Sequence, residues 1–125
     1  MTLAAGIAVG LIAAIAIFQV GLAAGAPWGA AAWGGSRPGV LPKGFRIASM
    51  FSIVILALLG WIVLARDGVV EAPVSTGVVE IAAWVAAGYF LLGTLANAFS
   101  RSRPERMWAP VAFVTAVCVA IVAAS

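Results

Sequence analysis

Histidine is absent from this chain, cysteine occurs once, and only 9% of the residues carry a charge, four of them acidic. These shortages exclude whole chemistries. Without histidine there is no imidazole to act as general base, and Cys118 stands in an apolar run with no basic neighbour to hold a thiolate. Asp67 and Glu71 are spaced as neighbours but fall in a short polar connection, where they read as solvated charges rather than an acid–base couple. The same inventory argues against zinc, haem or an iron–sulfur cluster held by this chain, and one cysteine cannot close an internal disulfide. The expectation is no metal, no cofactor and no enzyme.

What the chain has in abundance is hydrocarbon: 65% hydrophobic residues and a mean hydropathy of +1.18 lie far outside the balance of a water-soluble domain. A bilayer core about 30 Å thick needs roughly 20 helical residues. Apolar runs of that size predict helices over residues 3–26, 47–65, 78–100 and 103–124, which nearly exhaust a chain of 125 residues. Long unbroken runs lack the two-residue alternation of barrel strands, and lipid cannot satisfy free backbone groups. The fold class is therefore all-α: a polytopic integral membrane protein with four transmembrane helices in one antiparallel bundle over residues 1–125. The first run ends in Ala23-Ala24-Gly25-Ala26, small residues of the kind found at signal cleavage sites. Its length and the lack of a preceding cation favour a retained helix.

The cations are unevenly shared. Arg37, Lys43 and Arg46 flank the first loop and Arg101, Arg103 and Arg106 the third, leaving Arg66 alone near the second with Asp67 and Glu71. Basic flanks are retained inside the cell, which predicts loops 1 and 3 cytoplasmic and loop 2 and both termini outside, in a plasma or inner membrane. This bias opposes insertion of the chain in both orientations. A calculated pI near 10.0 then needs no nucleic acid. Membrane lipids are the first partner implied, and the basic face can also dock anionic lipid or an acidic protein. The five tryptophans fall near the ends of the spans, as interfacial anchors do; an aromatic cage for a ligand is the sharper alternative.

Loop 1, residues 27–45, holds three prolines and five glycines, too many for a regular helix, yet Trp28, Trp33, Leu41 and Phe45 make it too apolar to float in water. It is expected to fold back along the cytoplasmic interface and cap the bundle, with Trp28, Trp33 and Arg37 as its interfacial candidates. A re-entrant segment lining a passage is the alternative. Ser102 and Glu105 have the spacing of a capping box, which starts helix 4 at about residue 103, and Pro110 predicts a bend soon after.

Polar side chains inside the spans carry the functional argument, because each is costly in lipid. Gln19 on helix 1 and Asn97 on helix 3 lie at similar depth; they can hydrogen-bond across helices, or with Thr94 one turn from Asn97 they can line a solute site near the cytoplasmic side. Glu80 falls in the first turn of helix 3, where the helix dipole favours a carboxylate and water reaches it; a proton- or cation-binding role is the alternative. Gly6/Gly10 and Gly21/Gly25 share the G-x-x-x-G spacing, and Ala83, Ala87 and Gly88 make a small-residue surface on helix 3, suited to packing within the subunit or in a homo-oligomer. Two function classes follow. The first is a transporter or channel for a small solute or ion, with Gln19, Thr94, Asn97 and Glu80 as candidates; the second is an accessory protein binding lipid or a larger membrane complex.

Overall fold

The structure, a computed structural model, describes all residues 1–125 and is helical throughout, with no strand. The helices are α1 (Leu3–Ala24), α2 (Lys43–Arg66), α3 (Thr76–Ala98), the single turn α4 (Arg103–Arg106) and α5 (Trp108–Ala124). Counting α4 and α5 as one span, four helices of 22 to 24 residues are long and apolar enough to cross a membrane. The chain is a membrane protein of the four-helix class.

Local chemistry sets the ends. Thr2 and Ser75 cap α1 and α3, their hydroxyls accepting from the Ala5 and Val78 N–H groups. α1 stops two residues short of the expected boundary because Gly25, at φ +99°, takes the left-handed conformation that closes a helix. α2 starts four residues before the expected boundary, immediately after Pro42, whose extended backbone leads directly into the first turn. The fourth span is broken at Met107. Pro110 has no N–H for the Arg106 carbonyl, so the ladder fails at the point where α4 passes into α5.

The bundle is two helical hairpins. α1 packs along α2 and α3 along α5, each pair more extensively than the hairpins pack on one another through the α1–α5 and α2–α3 edges. Consecutive spans joined by short connections run antiparallel. The core between them is made largely of alanine: Ala5 and Ala8 of α1, Ala86 and Ala87 of α3 and Ala116 of α5 surround Ile12, Leu56, Val63, Phe90, Val119 and Val122. In lipid there is little hydrophobic drive between helices, so small side chains that let backbones approach supply the attraction. The outward surface is the reverse, with Phe51, Val54, Ile81, Val85 and Leu92 each about two-thirds exposed to what is hydrocarbon in the membrane.

Polar contacts tie the ends together. At the end away from the basic loops, Asp67 accepts from the Thr2 N–H (2.9 Å) and hydroxyl (2.8 Å), closing the first hairpin. Arg66 crosses to the second hairpin, donating from Nε and Nη2 to the Ala123 carbonyl at 3.1 and 2.9 Å. At the basic end, Arg46 Nε donates to the Ala23 carbonyl at 3.0 Å and so caps α1.

The glycine pairs divide by environment. A Cβ on Gly6 or Gly10 meets nothing within 4 Å, so that pair faces outward rather than into the bundle. Gly21 instead makes room for the Trp28 ring, which a Cβ would strike at 2.0 Å. Ala8→Leu should therefore lower stability by about 1–3 kcal/mol through overpacking, whereas Gly10→Ala should be neutral or stabilising by up to about 1 kcal/mol through helix propensity. Thermal unfolding of the two variants in detergent micelles checks the contrast.

Candidate functional site

Loop 1 returns across the basic end of the bundle and folds onto the start of α4. Two short 3₁₀ turns, Gly29–Ala31 and Trp33–Gly35, shape it, and the Gly29 N–H donates to the Gly39 carbonyl at 2.8 Å to close the excursion. Gly29 is obligatory there: a Cβ would lie 2.0 Å from the Arg37 carbonyl oxygen. Ala32 and Leu41 pack with Leu22 into a small core of their own, flanked by Phe18 and Phe45. Trp28 stacks on Phe18 with ring centres 5.8 Å apart, and Trp108 meets the same ring at 4.8 Å. Arg37 is exposed, its guanidinium 6.0 Å from the centre of the Phe45 ring.

The contacts between loop 1 and α4 join one hairpin to the other. Ser102 Oγ donates to the Ala30 carbonyl, and the Gly34 N–H donates to Glu105 Oε2 at 2.9 Å. Half of the expected capping box is present, Ser102 Oγ accepting from the Glu105 N–H. The other half is diverted: the buried Glu105 carboxylate turns to loop 1, while the Ser102 N–H donates to Ser100 Oγ. Trp33 holds a positive φ of 51°, uncommon for a bulky residue, and its indole N–H donates to the buried Ser49 hydroxyl at 3.2 Å.

Beneath this cap a cavity of about 300 Å³ opens on the seam between the hairpins. Gln19, Phe18 and Ser52 line it from the first hairpin and Tyr89, Asn97 and Trp108 from the second, with Trp33 and Glu105 above. A second lobe of about 410 Å³ shares Gln19, Ser52, Tyr89 and Asn97 and runs on to Leu56, Phe90 and Leu92, reaching the flank between α2 and α3. Leu56 and Phe90 belong to the packed core that fills the rest of the bundle, so the cavity has a closed floor.

The polar groups around it are unequally engaged. Gln19 Oε1 is buried without a hydrogen-bond partner, a condition that costs about 1–3 kcal/mol if nothing answers it. Asn97 Nδ2 donates to the Gly93 carbonyl of its own helix at 2.8 Å, which leaves its second N–H and the carboxamide oxygen free. Gln19 and Asn97 thus line one cavity, as their shared depth suggests, but no hydrogen bond joins them. Thr94 bonds back to the Phe90 carbonyl at 2.8 Å and is not in the lining. Glu80 lies at the opposite end, half exposed, 4.0 Å from Arg66 Nη2.

Sequence reasoning did not single out Ser52, Trp108 or Glu105 as site residues. Glu105 was explained by its spacing to Ser102, and nothing local reveals that its carboxylate faces another segment. Compared with protein families, with curated proteins and with solved structures, the chain finds no match in any of the three.

Three outcomes check this geometry. Gly29→Ala should unseat loop 1 and speed proteolysis within residues 27–45, with the helical content by circular dichroism retained. At the far end, Glu80→Gln should cost no more than about 0.5 kcal/mol, as expected of an exposed, long ion pair. Arg66→Met, which strips hydrogen bonds from a carbonyl at a helix end, should cost about 1–3 kcal/mol in the same unfolding assay.

Proposed function

We propose that this chain is a small membrane transporter whose solute binds in the cavity between the two hairpins, with the basic loops facing the cell interior of a plasma or inner membrane. The observation that carries the reading is the unpartnered Gln19 oxygen beside a cavity that also holds Asn97, Ser52 and Tyr89. A membrane protein that needed only packing would gain by filling that space with leucine; a polar acceptor without a protein partner suits a ligand that brings the missing donor. The division into hairpins supports the same reading. Each is tight within itself, and the hydrogen bonds across the seam lie at its ends: loop 1 with Ser102 and Glu105 on the basic side, Arg66 with Ala123 on the other. Breaking the basic-side set would uncover the cavity on that side, and access from the other side would also require the apolar core beneath it to part. Thr94 and Glu80, occupied with the Phe90 carbonyl and Arg66, then serve the fold and not the solute.

A second reading, an accessory protein, draws on the outward-facing Gly6 and Gly10 with the exposed Ile7 and Ile17, a surface on which another helix can lie. Under it the chain works by contact with a copy of itself or a larger complex, and the cavity is incidental.

Reconstituted vesicles separate the two. In a flux screen over small metabolites and ions, Gln19→Leu and Asn97→Leu should each abolish most uptake while leaving oligomer size and thermal stability unchanged or improved. If uptake survives both changes the solute does not bind in this cavity, and if the unaltered chain gives no flux above empty vesicles while Gly10→Leu alters oligomer size, the accessory reading prevails.

A further inference from the structure

We infer that the cavity takes a small organic cation, an ammonium group in particular, with Glu105 as its counter-ion. This rests on the reading of the cavity as a solute site and adds the charge of the solute.

The lining is lopsided in chemistry. Glu105 is its one charged side chain; the chain's seven cations, six of them clustered at this end of the bundle, all stay out of it. The cations that might have neutralised the carboxylate are turned elsewhere: Arg46 to the Ala23 carbonyl, Arg106 to the Ser100 and Arg101 carbonyls, and Arg37 towards Phe45. No salt bridge reaches Glu105, whose recorded partner is the Gly34 N–H at 2.9 Å through Oε2. An anion entering this space would meet an unpaired carboxylate where water is scarce, and electrostatic repulsion strengthens as the dielectric falls. A cation meets attraction for the same reason.

The remaining walls agree. Phe18, Trp33, Tyr89 and Trp108 contribute four aromatic side chains to the lining; a cation within about 6 Å of a ring face is attracted by the ring quadrupole, as in proteins that recognise ammonium ligands. Gln19 Oε1 and the Asn97 carboxamide oxygen are both acceptors without an engaged donor, and they suit a ligand that carries N–H or polarised C–H groups and no lone pairs to repel them. A volume of about 300 Å³ in the capped lobe, at the lower end for small-molecule sites, accommodates a small amine. The lobe that reaches the α2–α3 flank, where Tyr89 and Leu92 are exposed, gives such a group two sources: a free amine, or the headgroup of a lipid whose chains remain in the bilayer.

The test is equilibrium binding of labelled choline to the full chain in phosphatidylglycerol nanodiscs, measured above empty discs. Competitors are methylammonium, acetate and the uncharged choline analogue in which carbon replaces the quaternary nitrogen. Saturable choline binding is expected, displaced by methylammonium but not by acetate, with the uncharged analogue at least about tenfold weaker. Glu105→Gln, which keeps an oxygen for the Gly34 N–H, should erase that tenfold gap without changing thermal stability. Equal competition by the uncharged analogue, or a gap that survives Glu105→Gln, overturns the cationic assignment and leaves the cavity reading standing if Gln19→Leu weakens both ligands. No saturable binding by choline, methylammonium or the analogue overturns the assignment and the cavity reading together. Phosphatidylcholine placed in the discs distinguishes the sources: loss of choline binding identifies a lipid headgroup, and unchanged binding a free amine.

Discussion

Helix ends in a membrane leave carbonyls with no partner from the helix itself, and at the edge of hydrocarbon each must be answered by a side chain, by another segment or by interfacial water. Here arginine answers them. Arg46 of α2 closes the end of α1, Arg66 of α2 closes the end of α5, and Arg106 folds back to the carbonyls that follow α3. Each guanidinium offers a planar set of donors that favours the negative end of a helix dipole. Two of the three arginines join different helices, so the same interaction that satisfies the backbone also fixes which helix lies beside which. Part of the basic charge is therefore consumed by the fold. Lys43, Arg101 and Arg103 remain exposed on the basic end.

Alanine contacts make the two hairpins, and polar contacts decide how they meet. The α1–α2 and α3–α5 pairs bring Ala5, Ala8, Ala86, Ala87 and Ala116 to a common centre, where close approach replaces the hydrophobic drive that lipid withholds. Towards the basic end the lining changes to Gln19, Ser52, Tyr89 and Asn97, and the seam no longer fills. Loop 1 covers the gap. Its glycines permit the tight turns, Trp28 stacks on Phe18 and Leu41 buries against Leu22 at the end of α1, and its backbone reaches the second hairpin at Ser102 and Glu105. A segment that supplies no membrane span thus completes the enclosure of the one polar cavity in the bundle's interior.

Much of the architecture was legible because hydropathy and helix chemistry are local. Four apolar runs of bilayer length, a Thr2 cap, a Gly25 stop and a Pro110 break can each be read from a few adjacent residues. The shared depth of Gln19 and Asn97 follows from alternation of the spans, which sends the first and third across in the same direction with both residues near their C-terminal ends. Their relation did not: whether two carboxamides bond to each other, to their own helices or to a space between them depends on rotation about each helix axis, which a uniformly apolar run barely encodes. Gly6/Gly10 and Gly21/Gly25 show the same ambiguity, since identical spacings serve an outward face in one case and the seat of Trp28 in the other.

By itself the sequence determined the solvent of this protein, the number of its crossings and the end at which its cations gather, because transfer free energy and charge bias act residue by residue. Only the tertiary structure decided that Glu105 leaves its helix cap for loop 1, that the arginines turn away from it, and that an unpartnered Gln19 oxygen belongs to a residue lining the same cavity. Those outcomes depend on segments 71 and more residues apart arriving at one place, and contacts across such distances leave no local periodicity in the chain.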